Sequence, residues 1–304
     1  MKRYYPKIIK LAILAMVLLI LLPFRWAVGV ASEPTEIVPG GIPSTLIREL
    51  PLTDTHKTNT RRAPGLTIEP YVRPEFAQEM QRLRPIILAA AHRHNDQQLS
   101  GMDHQEFAVM IALLLYNENF GSFEDVLHPV RPLTPFYQDL QSRANEMSGT
   151  NLSVWPANLR PSVALEMHRQ QVPFPNEVGF VTMTLRIAGS TIDVDDFEAQ
   201  HELYATVTQE LTDPELAVEY LAANIGRGVY RAHLEEIPVT WRTLAAWHNQ
   251  GIVHPRDIRQ NATATDYVRR TSAYLDTARQ LIYTEPVPAQ SYNPDYEDAK
   301  PRIE

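Results

Sequence analysis

Glu118 sits in the segment Leu115-Tyr116-Asn117-Glu118-Asn119-Phe120. Counted back in helical steps, positions 114, 111 and 107 are Leu, Ile and Phe, so a helix through this stretch sets the carboxylate on its apolar stripe. Burial disfavours the charged form of a carboxyl group. The partial negative charge at a helix C-terminus disfavours it further. Asn117 and Asn119, with Gly121 just beyond, mark a place where the helix opens into a polar site. A glutamic acid with a raised pKa at the edge of a cleft suits the general-acid step of glycoside cleavage. A structural reading stands beside this one, in which a helix-end glutamate simply bends out to water.

Two further stretches bear on the choice. The first is Asn151-Leu152-Ser153-Val154-Trp155-Pro156-Ala157-Asn158-Leu159-Arg160-Pro161-Ser162-Val163-Ala164, and the second is Leu244-Ala245-Ala246-Trp247-His248-Asn249-Gln250-Gly251. Together with the segment around Glu118, they resemble, in order and spacing, the three motifs of the lysozyme-like lytic transglycosylases. The resemblance implies a lysozyme-like fold over roughly residues 76–283. It implies a glycan of alternating N-acetylglucosamine and N-acetylmuramic acid as substrate, and Glu118 as the single catalytic acid and base. The glutamate first protonates the glycosidic oxygen. It then takes the proton of the muramoyl 6-hydroxyl, which closes a 1,6-anhydro ring without water. By the same resemblance Asn119, Ser153, Asn158, His248 and Asn249 line the substrate. Asn119 stands where the family has serine, Trp155 where it has glycine, Asn158 where it has glutamine and His248 where it has tyrosine. These departures leave a second expectation open, a catalytically silent glycan-binding or scaffold domain. A hydrolysing variant needs a second carboxylate to hold a water. Glu124 and Asp125 are near in sequence, with nothing to place them.

Other chemistries find less support. His92, His94 and His104 offer ring nitrogens, but a metal site needs three or four convergent ligands and no acid joins them, so neither metal nor cofactor is expected. Glycine-rich phosphate loops are absent, and Ser153 and Ser162 lack the Gly-x-Ser-x-Gly setting of a hydrolase nucleophile. With no cysteine, disulfide frameworks and thiolate zinc sites are excluded.

The elements that position these residues read as mainly helical. Phe76, Met80, Leu83, Ile87 and Ala90 share one face of a helix that Pro85 should kink. Asp103 caps the helix that leads to Glu118. Thr134-Pro135, Pro161 and Asp213-Pro214 start three more. Asp195 with Glu198 looks like a capping box. Trp241–Asn249 is stopped by Gly251, and residues 265–282 form the last helix. Val181, Met183, Leu185 and Ile187 alternate with polar residues. That predicts a strand returning through Gly189-Ser190 onto 191–194, a small β-hairpin inserted in a helical domain.

Composition sets the frame. The 304 residues hold 24 prolines, with seven between positions 32 and 74, and carry a net charge of −8. Residues 1–31 carry Lys2, Arg3, Lys7, Lys10 and Arg25 and no acid, so the remainder is at −13. An acidic body lacks the basic footprint that nucleic acid requires. Basic residues before the apolar run Leu11–Phe24, with Gly29-Val30-Ala31 after it, mark 1–31 as a cleaved signal peptide or a retained membrane anchor. Either one places the rest outside the cytoplasm, secreted or tethered to the cytoplasmic membrane. Residues 32–74 read as a proline-rich, semi-rigid linker, 75–283 as the folded domain and 284–304 as an acidic, disordered tail.

Overall fold

The computed structural model describes residues 70–119, 133–173, 180–250 and 261–284. The expected signal or anchor segment, most of the expected linker and nearly all of the expected tail lie outside them, as do Glu124, Asp125 and Gly251. The described chain is mainly α, with ten α-helices and one two-stranded sheet. Among the described residues no helix is long and apolar enough to cross a membrane.

Helix α1 (Pro74–His94) begins one residue before the expected domain boundary, with proline in its first turn. It runs on through Pro85 as one helix and buries Phe76, Met80, Leu83, Ile87 and Ala90. A one-turn helix, α2 (Gln97–Ser100), carries the chain to α3 (His104–Asn117). Here Asp103 and Glu106 form a reciprocal capping box. The Glu106 amide donates to Asp103 Oδ1 at 2.8 Å and the Asp103 amide to Glu106 Oε2 at 2.9 Å. Every residue of α3 from Glu106 to Asn117 is buried. A helix that is apolar on all sides belongs at the centre of a domain, and the helices Pro74–His94, Pro214–Leu234, Ala262–Ala273 and Leu275–Tyr283 pack against this one.

Gly101 closes α2 with a left-handed backbone (φ 68°), and a side chain there would meet nothing within 4 Å. Only conformational strain opposes a substitution, so Gly101→Ala should lower stability by about 1–2 kcal/mol. Gly101→Asn should lose less, and thermal melts of the two variants check the order.

Helices α4 (Thr134–Ser148) and α5 (Pro161–His168) start at the expected prolines. The hairpin differs from expectation. Strand β2 (Phe180–Thr182) exists, but it pairs antiparallel with the upstream β1 (Gln171–Pro173). The stretch 191–194 makes no return strand, and Val194–Asp196 is a short 3₁₀ turn. Asp195 caps nothing. Its amide is taken by Asp193 Oδ1, and helix α6 (Gln200–Thr212) starts later, from Ala199, without a side-chain cap.

Helix α7 (Pro214–Leu234) is capped by Asp213 as expected, and α8 (Trp241–Gln250) follows. Gly228 sets their approach, since a Cβ there would lie 3.2 Å from Leu244 and 3.3 Å from Trp247. The expected last helix is two, α9 (Ala262–Ala273) and α10 (Leu275–Tyr283), divided at Tyr274. The Tyr274 ring stacks 6.4 Å from Tyr116 and its hydroxyl donates to the Tyr71 carbonyl. That tertiary anchor wins over the continuous helical spacing. Arg84 on α1 donates to the carbonyls of Leu281 and Ile282 at the end of α10.

Candidate active site

Glu118 caps the C-terminal end of α3 and is 9 % exposed. Each carboxylate oxygen has one donor. Asn158 Nδ2 donates to Oε2 at 2.8 Å, and the Tyr267 hydroxyl of α9 donates to Oε1. His248, at the end of α8, brings Nε2 to 3.7 Å from Oε1. Side chains from α3, α8, α9 and the loop before α5 thus meet on one carboxyl group.

The loop that carries Asn158 is built to hold it. The Val154 amide donates to the Leu159 carbonyl at 2.8 Å and closes a tight turn. Inside this turn Asn158 adopts a left-handed backbone (φ 52°), which asparagine accepts more readily than most residues. Before the loop, buried Asn145 accepts the Leu152 amide and donates to the Leu152 carbonyl. Asn151, also before the loop, donates to the hydroxyl of Ser162 beyond it and accepts the Ser162 amide, both at 2.9 Å. Arg227, buried on α7, reaches Glu166 at 2.5 Å and the Val163 carbonyl at 3.3 Å, which ties α5 to the long helix.

The electrostatics favour a protonated carboxyl. Burial pushes the Glu118 pKa up to about 7, against the Tyr267 hydrogen bond, the Arg270 charge and the Asn158 hydrogen bond. Near neutrality such a group is divided between acid and carboxylate, as a residue that both gives and takes a proton requires. Burial also holds His248 down at about 4, with the Ala157 backbone opposing, so the ring is neutral and adds no cation beside the acid. Burial and the Glu118 charge raise the Tyr267 phenol well above its ordinary range, and it remains a donor.

The other expected residues sit around this centre. Asn119 is fully buried and turned to Arg73, whose Nε donates to its Oδ1 at 3.0 Å. Among the described residues neither Ser153 nor Asn249 hydrogen-bonds the carboxyl group. Ser153 precedes the Val154 turn, and Asn249 follows His248 on α8. Trp155 is half-buried, with its ring 5.8 Å from Phe76 and the Arg73 guanidinium 5.7 Å over its face. His92 and His104 lie ring against ring at 4.5 Å, whereas His94 turns to Glu219. Among the described residues no group of three metal-ligating side chains converges.

Tyr267 was not expected in the site. It lies 149 positions from Glu118, one of 13 tyrosines, and nothing local distinguishes it. The helical spacing of Ala264, Tyr267 and Thr271, all buried on α9, was the available signal that it faces inward. No protein-family model, no curated protein and no solved structure matches this chain.

Proposed function

We propose that this protein is a divergent member of the lysozyme-like lytic transglycosylases, acting outside the cytoplasm on the bond between N-acetylmuramic acid and N-acetylglucosamine. One observation carries the reading: a buried Glu118 with a pKa of about 7, held through both oxygens at the end of a core helix. In the protonated form Glu118 gives its hydrogen to the glycosidic oxygen as the bond to the muramoyl C1 breaks. The resulting carboxylate is the form that the Asn158 and Tyr267 donors favour. It then accepts the proton of the muramoyl 6-hydroxyl while that oxygen bonds to C1. The acid is restored, and the products are an anhydro-muramoyl end and a free N-acetylglucosamine end. Water enters neither step, in keeping with a single carboxyl group at the centre among the described residues.

The burial of that carboxyl group, with Trp155 packed on Phe76 and Arg73, favours a second reading, a glycan-binding domain without cleavage. Incubating the purified chain with sacculi and analysing the soluble products by mass spectrometry decides between them. Anhydro-muropeptides support the enzyme. Sedimentation with sacculi without new glycan ends supports the binding domain.

A further inference from the structure

A second polar constellation lies outside the Glu118 centre. Tyr220, buried on α7, donates its phenolic hydrogen to Glu210 Oε2 on α6 at 2.5 Å, while Glu210 Oε1 accepts the Thr191 amide at 3.1 Å. With that hydrogen committed, the Tyr220 oxygen is an acceptor toward His168 Nε2, 2.6 Å away. Nε2 therefore carries the imidazole hydrogen, and Nδ1 is left with a lone pair to offer. Burial lowers the His168 pKa, which keeps the ring neutral.

His168 borders an open cleft of about 710 Å³ that Arg169, Thr191, Asp193, Asp195 and Phe197 also line. Arg169 and Asp195 are exposed, and neither side chain has a hydrogen bond or ion pair among the described residues. The cleft therefore offers hydroxyl acceptors (the His168 lone pair, Asp193 and Asp195), one guanidinium suited to a carboxylate and the Phe197 ring for an apolar sugar face. A ligand that matches all three is rich in hydroxyls, carries a carboxylate and has a flat apolar side.

We propose that this cleft binds a carboxylate-bearing saccharide, a muramic acid unit of the same glycan from which the stem peptide has been removed, as an anchoring subsite separate from the Glu118 centre. The choice of muramic acid rests on the function proposed above. The lactyl carboxylate meets Arg169, and the sugar hydroxyls donate to Asp195 and His168.

The test is calorimetry on the full chain in detergent, in a Glu118→Gln background so that no turnover intervenes. The probes are the peptide-free disaccharide of N-acetylglucosamine and N-acetylmuramic acid, and N,N′-diacetylchitobiose, which lacks the carboxylate. The disaccharide should bind about 10-fold or more tightly than chitobiose. Arg169→Ala with Asp195→Asn should abolish that difference and leave the thermal melt unchanged. In the otherwise wild-type chain the same pair should raise KM on peptide-free glycan strands and spare kcat. Equal affinity for the two sugars, or an unchanged preference in the double variant, overturns the proposal. The proposed function fails separately, by unaltered release of anhydro ends from Glu118→Gln.

Discussion

Glu118→Gln should lower the release of anhydro-muropeptides from sacculi by about 10²–10⁴-fold, the range by which a positioned proton donor accelerates such steps. Glutamine keeps the size and the acceptor oxygen of the side chain but cannot give up a proton to the glycosidic oxygen. The same variant should be more stable than wild type at alkaline pH. Wild-type Glu118 has its pKa raised by burial to about 7 from 4.5, so between those values the folded chain binds a proton that the unfolded chain does not. Its contribution to stability is therefore greatest at acid pH and declines as pH rises through 7. The variant escapes this decline. Its advantage should grow by up to about 3 kcal/mol between pH 4 and pH 8, or some 2–4 °C in Tm for each kcal/mol in a domain of this size. Loss of activity without that pH-dependent gain in melting temperature would mean that the carboxyl group is not buried as described.

Tyr267→Phe has the second largest expected effect, and it acts on the acid through its partner. The hydroxyl donates to Oε1 and favours the ionised form. A hydrogen bond to a charged group contributes about 1.5–3 kcal/mol, so its removal should raise the Glu118 pKa by about 1–2 units. The alkaline limb of the pH–rate profile should move up by that amount. The plateau should fall by about 10- to 100-fold, because the carboxylate formed on proton transfer loses a donor. A tyrosine that only fills space would lower the plateau and leave the limb where it is. Phenylalanine keeps the ring that packs beside His248 and under Arg270, which separates the two roles.

How far this arrangement could be read from the residues depends on how local its causes are. The Asp103–Glu106 box, the Asp213 cap and the prolines that open α4, α5 and α7 act within a few positions of themselves, and each helix starts where those residues place it. The burial of Glu118 follows from three apolar neighbours on one helix face. The errors arise where a distant contact decides. Alternation along 181–187 shows that a strand is favourable but not which segment pairs with it, and Gln171–Pro173, with its proline, carries no strand signal of its own. The helical spacing of Tyr267, Thr271, Tyr274 and Ala278 runs unbroken, yet stacking on Tyr116 divides the helix at Tyr274. Asp195 lost its capping role to a competing turn two residues upstream. The same distinction runs through the site. Glu118, Asn158 and His248 lie in segments that could be singled out one at a time, whereas Tyr267 is visible only when α9 is laid against α3.

The clasp between α1 and α10 has a consequence for the order of assembly. Arg84 finds its acceptors at residues 281 and 282, and Glu118 finds its Oε1 donor at 267. A chain that emerges from its N-terminus therefore completes α1 and α3 long before their last partners exist. Loops of this length close late in folding. A nascent or truncated chain that ends before residue 261 holds Glu118 without its tyrosine, and with α3 unwrapped on one side. The burial that raises the Glu118 pKa, and the Tyr267 donor that opposes it, are therefore completed only with the final helices.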